Sequence, residues 1–334
     1  MTIKDLARLS GYSLGTVSRV LNNQPNVSQK ARDAIMAIVD EKGFELNTNA
    51  KNLKQQKSAS ILVIVKGRAN ELFSQLVEQI QSLVAGTEHP LLLDYIDEDE
   101  NEVRRALQLC REKKPEGILF LGGISRNFRE EFGAIPLPAV LVTNAAESLG
   151  FPNLSSVTTD DAAAACCAVQ YLMDQGHREI VILGGDCEKS EISHLRYEGC
   201  VRAFRERGNS ELCIYENTRF SFRDGYESMG RVLDTCAARV TAVFAMADVI
   251  AIGAIRCICD HGLRVPEDIS IIGFDGLPVG QYYMPKLATI GQQTDEMARE
   301  CIRILLDAIG GAPSQHQTVP FTRMPGESIR KLHA

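Results

Sequence analysis

The chain has 334 residues, 45% hydrophobic and 24% charged, with 26 glycines, 12 prolines and a net charge of −7. This composition excludes collagen-like, low-complexity and disordered chains, and the length fits two or three domains of about 100–200 residues that need no disulfide staples. No apolar run reaches the ~18 residues of a membrane span, and the N-terminus lacks the apolar centre of a secretion signal, so a cytoplasmic protein without membrane contact is expected.

Charge is unevenly placed. Residues 1–57 carry nine basic and five acidic side chains, a balance of +4 that leaves −11 for the rest. A basic head on an acidic body is expected where only the head meets a polyanion. The ten cysteines are dispersed with no CxxC pair or zinc-like Cys/His spacing; free thiols are expected, with no metal and no cofactor.

Residues 2–43 read as three short helices. Thr2 and Asp5 form a variant capping box ahead of Ile3, Leu6 and Ala7, and Gly11 stops the first helix. Ser13 caps a second, which buries Val17, Val20 and Leu21 and exposes Leu14, Gly15, Ser18, Arg19 and Asn22. Ser28 caps a third from Gln29 to Lys42, with Ala31, Ile35, Ile38 and Val39 inward and Gly43 at its end. Two helices joined by a tight glycine turn and braced by a third make a helix-turn-helix unit. Ser13, Thr16 and Ser18 are short and hydroxylated, so the backbone can approach a duplex, and Arg19 can reach a guanine edge or a phosphate. Periodicity alone describes a small bundle with a polar surface equally well. Gly11 to Gly15 also matches the GxSxG of a nucleophile elbow, but that motif needs a preceding strand, and here a short helix precedes it.

The run TIKDLARLSGYSLGTVSRVLNNQPNVSQKAR resembles the DNA-binding head of the LacI/GalR repressor family. The resemblance implies that Leu14 and Gly15 occupy base-reading positions with Arg19 beside them, while Thr2, Ser13, Thr16, Ser18 and Asn22 hold phosphates. Gly15 has no side chain to read with, and Leu14 offers only apolar contact. Within residues 46–57, Asn47–Lys54 form a weak helical pattern, too short to stand alone in water. By the resemblance it is a hinge that folds on DNA, Leu53 wedging into the minor groove with Lys51 and Lys54 on phosphates; the alternative is a flexible linker, as Gln55-Gln56-Lys57-Ser58 is. Leu46 stands where the family has proline.

Beyond residue 58, short apolar runs alternate with amphipathic stretches. Strands are expected at Ile61–Val65, Leu91–Tyr95, Gly117–Leu121, Ala139–Val142, Ile180–Leu183, Leu212–Tyr215, Ala242–Ala245 and Ile269–Gly273. Helices are expected near 70–85, 100–113, 161–175, 195–207, 224–235, 248–261 and 293–309. Alternation of this kind means parallel sheets covered on both faces. The fold class is therefore α/β: a helix-turn-helix head and two doubly wound lobes with a ligand crevice at the strands' carboxyl ends. The expected division is 1–45 head, 46–57 hinge and 58–330 core. Within the core, lobe one takes 58–157 and 291–316, and lobe two takes 158–290 and 317–330, with crossovers near Asp160-Asp161 and at Leu287–Gly291.

No GxGxxG follows a strand, and there is no GxxxxGK[ST] or HExxH. A binding module therefore fits better than an enzyme. The rivals are a solute-binding protein without a DNA role and an enzyme on a nucleotide-binding fold. The resemblance continues through the body, which is similar to periplasmic sugar-binding proteins, in Ile269–Asp275, Gly176–Ile180, Leu195–Gly199 and Val265-Pro266. It implies effector contacts from Phe73, Thr143, Arg196, Phe220, Asp248, Asp275 and Gln292; a structural ion pair is the alternative for Arg196 and Asp275. Thr143 and Ala247 stand where the family has an aspartate and an asparagine, and Arg68 is an added cation, so a charged or smaller effector is expected in place of a neutral hexose. The whole reads as a dimeric repressor on a pseudo-palindromic operator, with a carbohydrate or sugar derivative as effector.

Overall fold

The computed structural model describes residues 2–21, 27–42, 59–68, 70–208, 214–236 and 240–332. The chain divides into two units, Met1–Ser58 and Ala59–Ala334.

The first unit holds α1 (Ile3–Ser10), α2 (Leu14–Leu21) and α3 (Gln29–Lys42). Each start follows from a local side chain. Thr2 Oγ1 accepts from Asp5 N at 3.3 Å while Asp5 Oδ2 accepts from Thr2 N at 2.9 Å, a reciprocal capping box. Ser13 Oγ accepts from Thr16 N at 3.2 Å, and Ser28 Oγ from Ala31 N at 3.4 Å. Gly11, at φ +71°, closes α1 in the left-handed conformation that glycine adopts without penalty. The helices meet on Leu6, Val17, Val20 and Ile35, with Leu21, Ile38 and Val39 half-buried around them. Each fully buried aliphatic side chain contributes about 1.5–3 kcal/mol, so this small unit rests on a handful of residues. Gly43 and the hinge, 46–57, lie outside the described residues.

The second unit contains two six-stranded sheets among the described residues. Sheet one has the order β11-β5-β4-β3-β1-β2, built from β1 (Ile61–Lys66), β2 (Leu91–Ile96), β3 (Gly117–Leu121), β4 (Ala139–Val142), β5 (Leu154–Thr159) and β11 (His316–Val319). Sheet two has the order β12-β10-β9-β8-β6-β7, built from β6 (Ile180–Gly184), β7 (Tyr215–Asn217), β8 (Ala242–Ala245), β9 (Ser270–Asp275), β10 (Ala288–Gln292) and β12 (Phe321–Met324). All pairings are parallel except β10 with β12. The inner strands β1, β3, β4, β6, β8 and β9 are buried on both faces, as parallel strands under helical cover must be.

The covering helices are α4 (Glu71–Val84), α5 (Glu102–Lys113), α6 (Ser125–Glu131) and α12 (Thr294–Ile309) in lobe one, and α7 (Asp161–Asp174), α8 (Glu191–Glu206), α9 (Phe222–Cys236), α10 (Asp248–Asp260) and α11 (Pro278–Tyr282) in lobe two. α12 packs on α4 and across β3, β4 and β5, and so belongs to lobe one although the strand before it is in lobe two.

Several expected boundaries move. β5, β10, β11 and β12 lie outside the expected strands: β5 reads LSSVTT, and its Ser155, Ser156 and Thr159 are buried by neighbouring strands rather than by an apolar run. Leu287–Gly291, expected as a crossover, is mostly β10 itself. The chain passes between lobes at Asp160, Gln293 and Pro320. Dividing the lobes at 157/158, 290/291 and 316/317 would cut β5, β10 and β11, whose ladders run on to Thr159, Gln292 and Val319. Among the described residues the expected strand at Leu212–Tyr215 is seen as β7, from Tyr215 to Asn217. No described helix is long and apolar enough to cross a membrane.

Candidate ligand cleft and nucleic-acid interface

In the head, α2 presents Leu14 (45% exposed), Gly15 and Arg19 to solvent. Their outward position follows from the inward pull of Val17 and Val20, which are three residues apart on the same helical face. The hydroxyls are more committed than the sequence suggests. Thr2 Oγ1 donates to Asp5 Oδ2 at 2.8 Å, and Ser13 and Thr16 share a hydrogen bond at 2.9 Å. These contacts fix the starts of α1 and α2, and the exposed hydroxyls keep acceptor capacity for a water-bridged or direct contact. Ser18 is half-buried with a partner of its own. Asn22 and Leu53 lie outside the described residues.

In the body, a cavity of about 560 Å³ opens between the lobes at the carboxyl ends of both sheets, where open α/β sheets place their ligands. Its volume suits a small molecule. Six of the seven expected effector residues line it: Phe73, Thr143, Arg196, Phe220, Asp275 and Gln292. The two aromatics sit where strand-end glycines leave room for them. A Cβ on Gly122, already at φ +77°, would come within 2.9 Å of the Phe73 ring, and one on Gly185 within 2.9 Å of Phe220.

The floor is tightly wired. Arg196 on α8 is 4% exposed and its guanidinium lies 3.7 Å over the Phe274 ring. Its Nε donates to Asp161 Oδ1 at 2.8 Å and its Nη1 donates to the Met246 carbonyl. Both the ion pair and a place in the cleft wall are therefore real for this arginine. Asp275 ends β9 at φ +112°. Its Oδ1 accepts from Gln292 Nε2 at 2.7 Å, and Gln292 Oε1 accepts from Thr159 Oγ1 at 3.2 Å. This chain links the end of a lobe-two strand to the end of a lobe-one strand beside two of the three crossings. Burial pushes the Asp275 carboxyl up to about 6, against the pull of Arg196 and the Gln292 amide. Thr143, at φ +78°, is 8% exposed and donates to Asn144 Oδ1 at 3.3 Å.

Asp248 is a correction. It is fully buried and absent from the cleft. Placed at the start of α10, its carboxylate turns inward, accepting from Leu277 N at 2.7 Å and Thr289 Oγ1 at 2.6 Å. It ties α10 to β10 and the exit of β9, and burial raises its pKa well above the usual range. Arg68 is a second correction: it is 70% exposed at its side chain, 3.9 Å from Glu100, and does not line the cavity. Lys66, two residues earlier, does; it is held by Glu102 at 2.8 Å and by the Glu100 carbonyl.

Sequence reasoning also missed Asn70, Glu98, Asp99, Lys189, Asn217, Arg219 and Asp224, all in the lining. Most fall a few residues past the end of β1, β2, β6 or β7. Scoring the loops after every expected strand was the signal that could have found them. At the mouth, two contacts join the lobes directly: Arg219 Nη2 to Asp99 Oδ2 at 3.1 Å, and the Ser125 hydroxyl to Glu191.

Residues 2–47 match the profile of bacterial regulatory proteins, lacI family, and residues 169–329 that of a periplasmic binding protein-like domain. The HTH-type transcriptional regulator MalR of Clostridium butyricum is 33% identical over 92% of this chain and 93% of its own length. The chain belongs to the lacI family of bacterial regulatory proteins. The HTH-type transcriptional repressor CytR of Escherichia coli is also 33% identical, over 93% of this chain and 90% of its own. Among solved structures, a complex of the transcriptional regulator CelR with cellobiose superposes with a TM-score of 0.70 at 26% identity, covering 98% of this chain and 99% of that one. This lacI-family chain is thus a DNA-binding transcriptional regulator with a helix-turn-helix head and a two-lobed sensing body.

Proposed function

We propose that the protein is a cytoplasmic, non-enzymatic repressor. It binds a pseudo-palindromic operator as a homodimer and is controlled by a small hydroxyl-bearing effector, a carbohydrate or sugar derivative, in the interlobe cleft. The observation that carries the effector reading is the Asp275–Gln292–Thr159 chain, which puts hydrogen-bonding groups of the cavity floor on the connections between lobes. A ligand contacting that chain acts on the lobe angle directly, which is the differential contact that coupling requires. The cellobiose seen with CelR supports the carbohydrate class.

On the DNA side, Leu14, Gly15 and Arg19 face bases, Thr2, Ser13, Thr16, Ser18 and Asn22 face phosphates, and residues 46–57 form the hinge with Leu53 as wedge. The homodimer reading is supported by an exposed apolar group on lobe two: Phe222, Tyr226, Val279, Tyr282 (90% exposed) and Met284 (88% exposed). Such a group suits a self-complementary contact.

The test is fluorescence anisotropy of the full-length protein on DNA from upstream of its own gene, against random DNA, with and without a sugar panel. A site-specific, salt-sensitive complex whose affinity changes at least about tenfold with one sugar is expected, a coupling of roughly 1–3 kcal/mol. Equal affinity for random DNA under every condition overturns the reading.

A further inference from the structure

Charge around the cleft is committed asymmetrically. Among the described residues, every cationic side chain lining the cavity is already held by an acid. Lys66 is held by Glu102 at 2.8 Å, Lys189 by Asp186 at 3.1 Å, Arg196 by Asp161 at 2.8 Å, Arg219 by Asp99 at 3.1 Å and Arg231 by Glu216 at 2.6 Å. Two of these pairs, on Lys66 and Arg196, are almost fully buried, so freeing the cation would leave an uncompensated buried carboxylate behind. An arriving anion must therefore compete with a carboxylate for each of these cations; for Lys189, Arg219 and Arg231, whose pairs are exposed, that competition is weak, and for Lys66 and Arg196 it is strong.

The acids are only partly committed: Asp99, Asp186 and Glu227 are paired with Arg219, Lys189 and Arg223, and three others are not. Glu98, Asp224 and Asp275 line the cavity with no cation at ion-pair distance among the described residues. Asp275 is satisfied by one amide, and Asp224 by the Ser221 hydroxyl. Glu98 has no hydrogen-bond partner among the described residues. It stands just past β2, solvent-exposed at the rim of the cavity, facing Arg219 and the like charges of Asp97, Asp99 and Asp224. Partial desolvation there pushes its carboxyl up, as an under-compensated site does.

We propose that this cleft selects its effector by charge, rejecting phosphorylated and carboxylated sugars and favouring a sugar that carries a protonated amine, with Glu98 as the residue that reads the amine. The proposal rests on the cleft being the sensing site. It replaces the expectation, drawn from Arg68, that an added cation shapes the pocket. An ammonium group donates to a carboxylate through a charge-assisted hydrogen bond and relieves the repulsion among Glu98, Asp99 and Asp224. A phosphate or uronate in the same place adds to that repulsion and must draw Lys189 or Arg219 away from Asp186 or Asp99 to offset its desolvation.

The test uses the full-length protein and matched probes on one skeleton: glucose, glucosamine, glucose 6-phosphate and glucuronate, with the galactose and mannose series alongside. Thermal shift ranks them and titration calorimetry measures affinities. In at least one series the amine is expected to bind more tightly than its parent and the anions not at all. In Glu98→Gln the amine-to-parent affinity ratio is expected to fall about tenfold, the size of one charged hydrogen bond. Because that ratio is taken within one variant, a general loss of stability does not imitate it. An anionic member binding as tightly as its parent, no amine preference in any series, or an unchanged ratio in Glu98→Gln overturns the charge rule. If anions bind, the rule fails and the sensing cleft stands; if no sugar of any charge binds, both fail.

Discussion

The head and the cleft place their working residues in opposite ways. In the head, Leu14, Gly15 and Arg19 share one turn and a half of α2, held outward by Val17 and Val20 beneath. In the cleft, neighbours in space are far apart in sequence: Thr159, Arg196, Asp275 and Gln292 come from four elements and both lobes. A surface carried on one helix can vary residue by residue. A floor wired across strand ends ties the cavity's shape to stability, because the groups that line it also hold the lobes.

The largest expected effect breaks the cleft's wiring. Arg196→Leu leaves Asp161 buried without its partner, and a loss of about 3–5 kcal/mol is expected in urea unfolding of the body. A loss under about 1 kcal/mol would mean that Arg196 serves ligand more than fold. Leu6→Ala removes a fully buried side chain from the head's four-residue core. It should cost about 2–5 kcal/mol, seen as lost operator binding while the body's melting transition stays in place. A common shift of both would show that the two units do not melt independently. Arg19→Ala should weaken specific operator binding by about 1–3 kcal/mol with little change in thermal midpoint, the mark of a surface residue.

The smallest effect is in pH. The Asp275 carboxyl, at about 6 in the folded chain, sits above the ordinary carboxyl value. The folded state therefore holds a proton there that the unfolded chain has released. The stability this contributes is full below about pH 4 and is given up as pH rises through about 6. Effector donors need the ionised form, so effector affinity should drop by up to about tenfold per unit below pH 6. The charged groups facing it are Arg196, Asp161 and Asp248. Calorimetric affinity that stays flat from about pH 7.5 to about pH 5 would remove Asp275 from the contact.

What the sequence made legible was local. Thr2, Gly11, Ser13 and Ser28 act within three or four residues of themselves, so their caps could be read directly. The inner strands announced themselves as apolar runs. β5 and β10 did not, because Ser155, Ser156 and Thr289 are buried by pairing across the sheet rather than by their own character. Of the cleft residues matched by family resemblance, six line the cavity and Asp248 does not, since position in a motif does not tell which way a helix-start carboxylate turns. Lys66 and Arg68 make the same point: two residues apart at a strand end, one is inside and the other outside.

The late return of the chain to both lobes has a consequence for synthesis. β11 supplies one edge of sheet one and β12 one edge of sheet two, with only Pro320 between them. Until that stretch leaves the ribosome, each sheet exposes an unpaired strand to its surroundings, an invitation to mispairing. A nascent chain halted before residue 316 would therefore carry a finished head on an unfinished body, and quality control rather than gene regulation would be its fate.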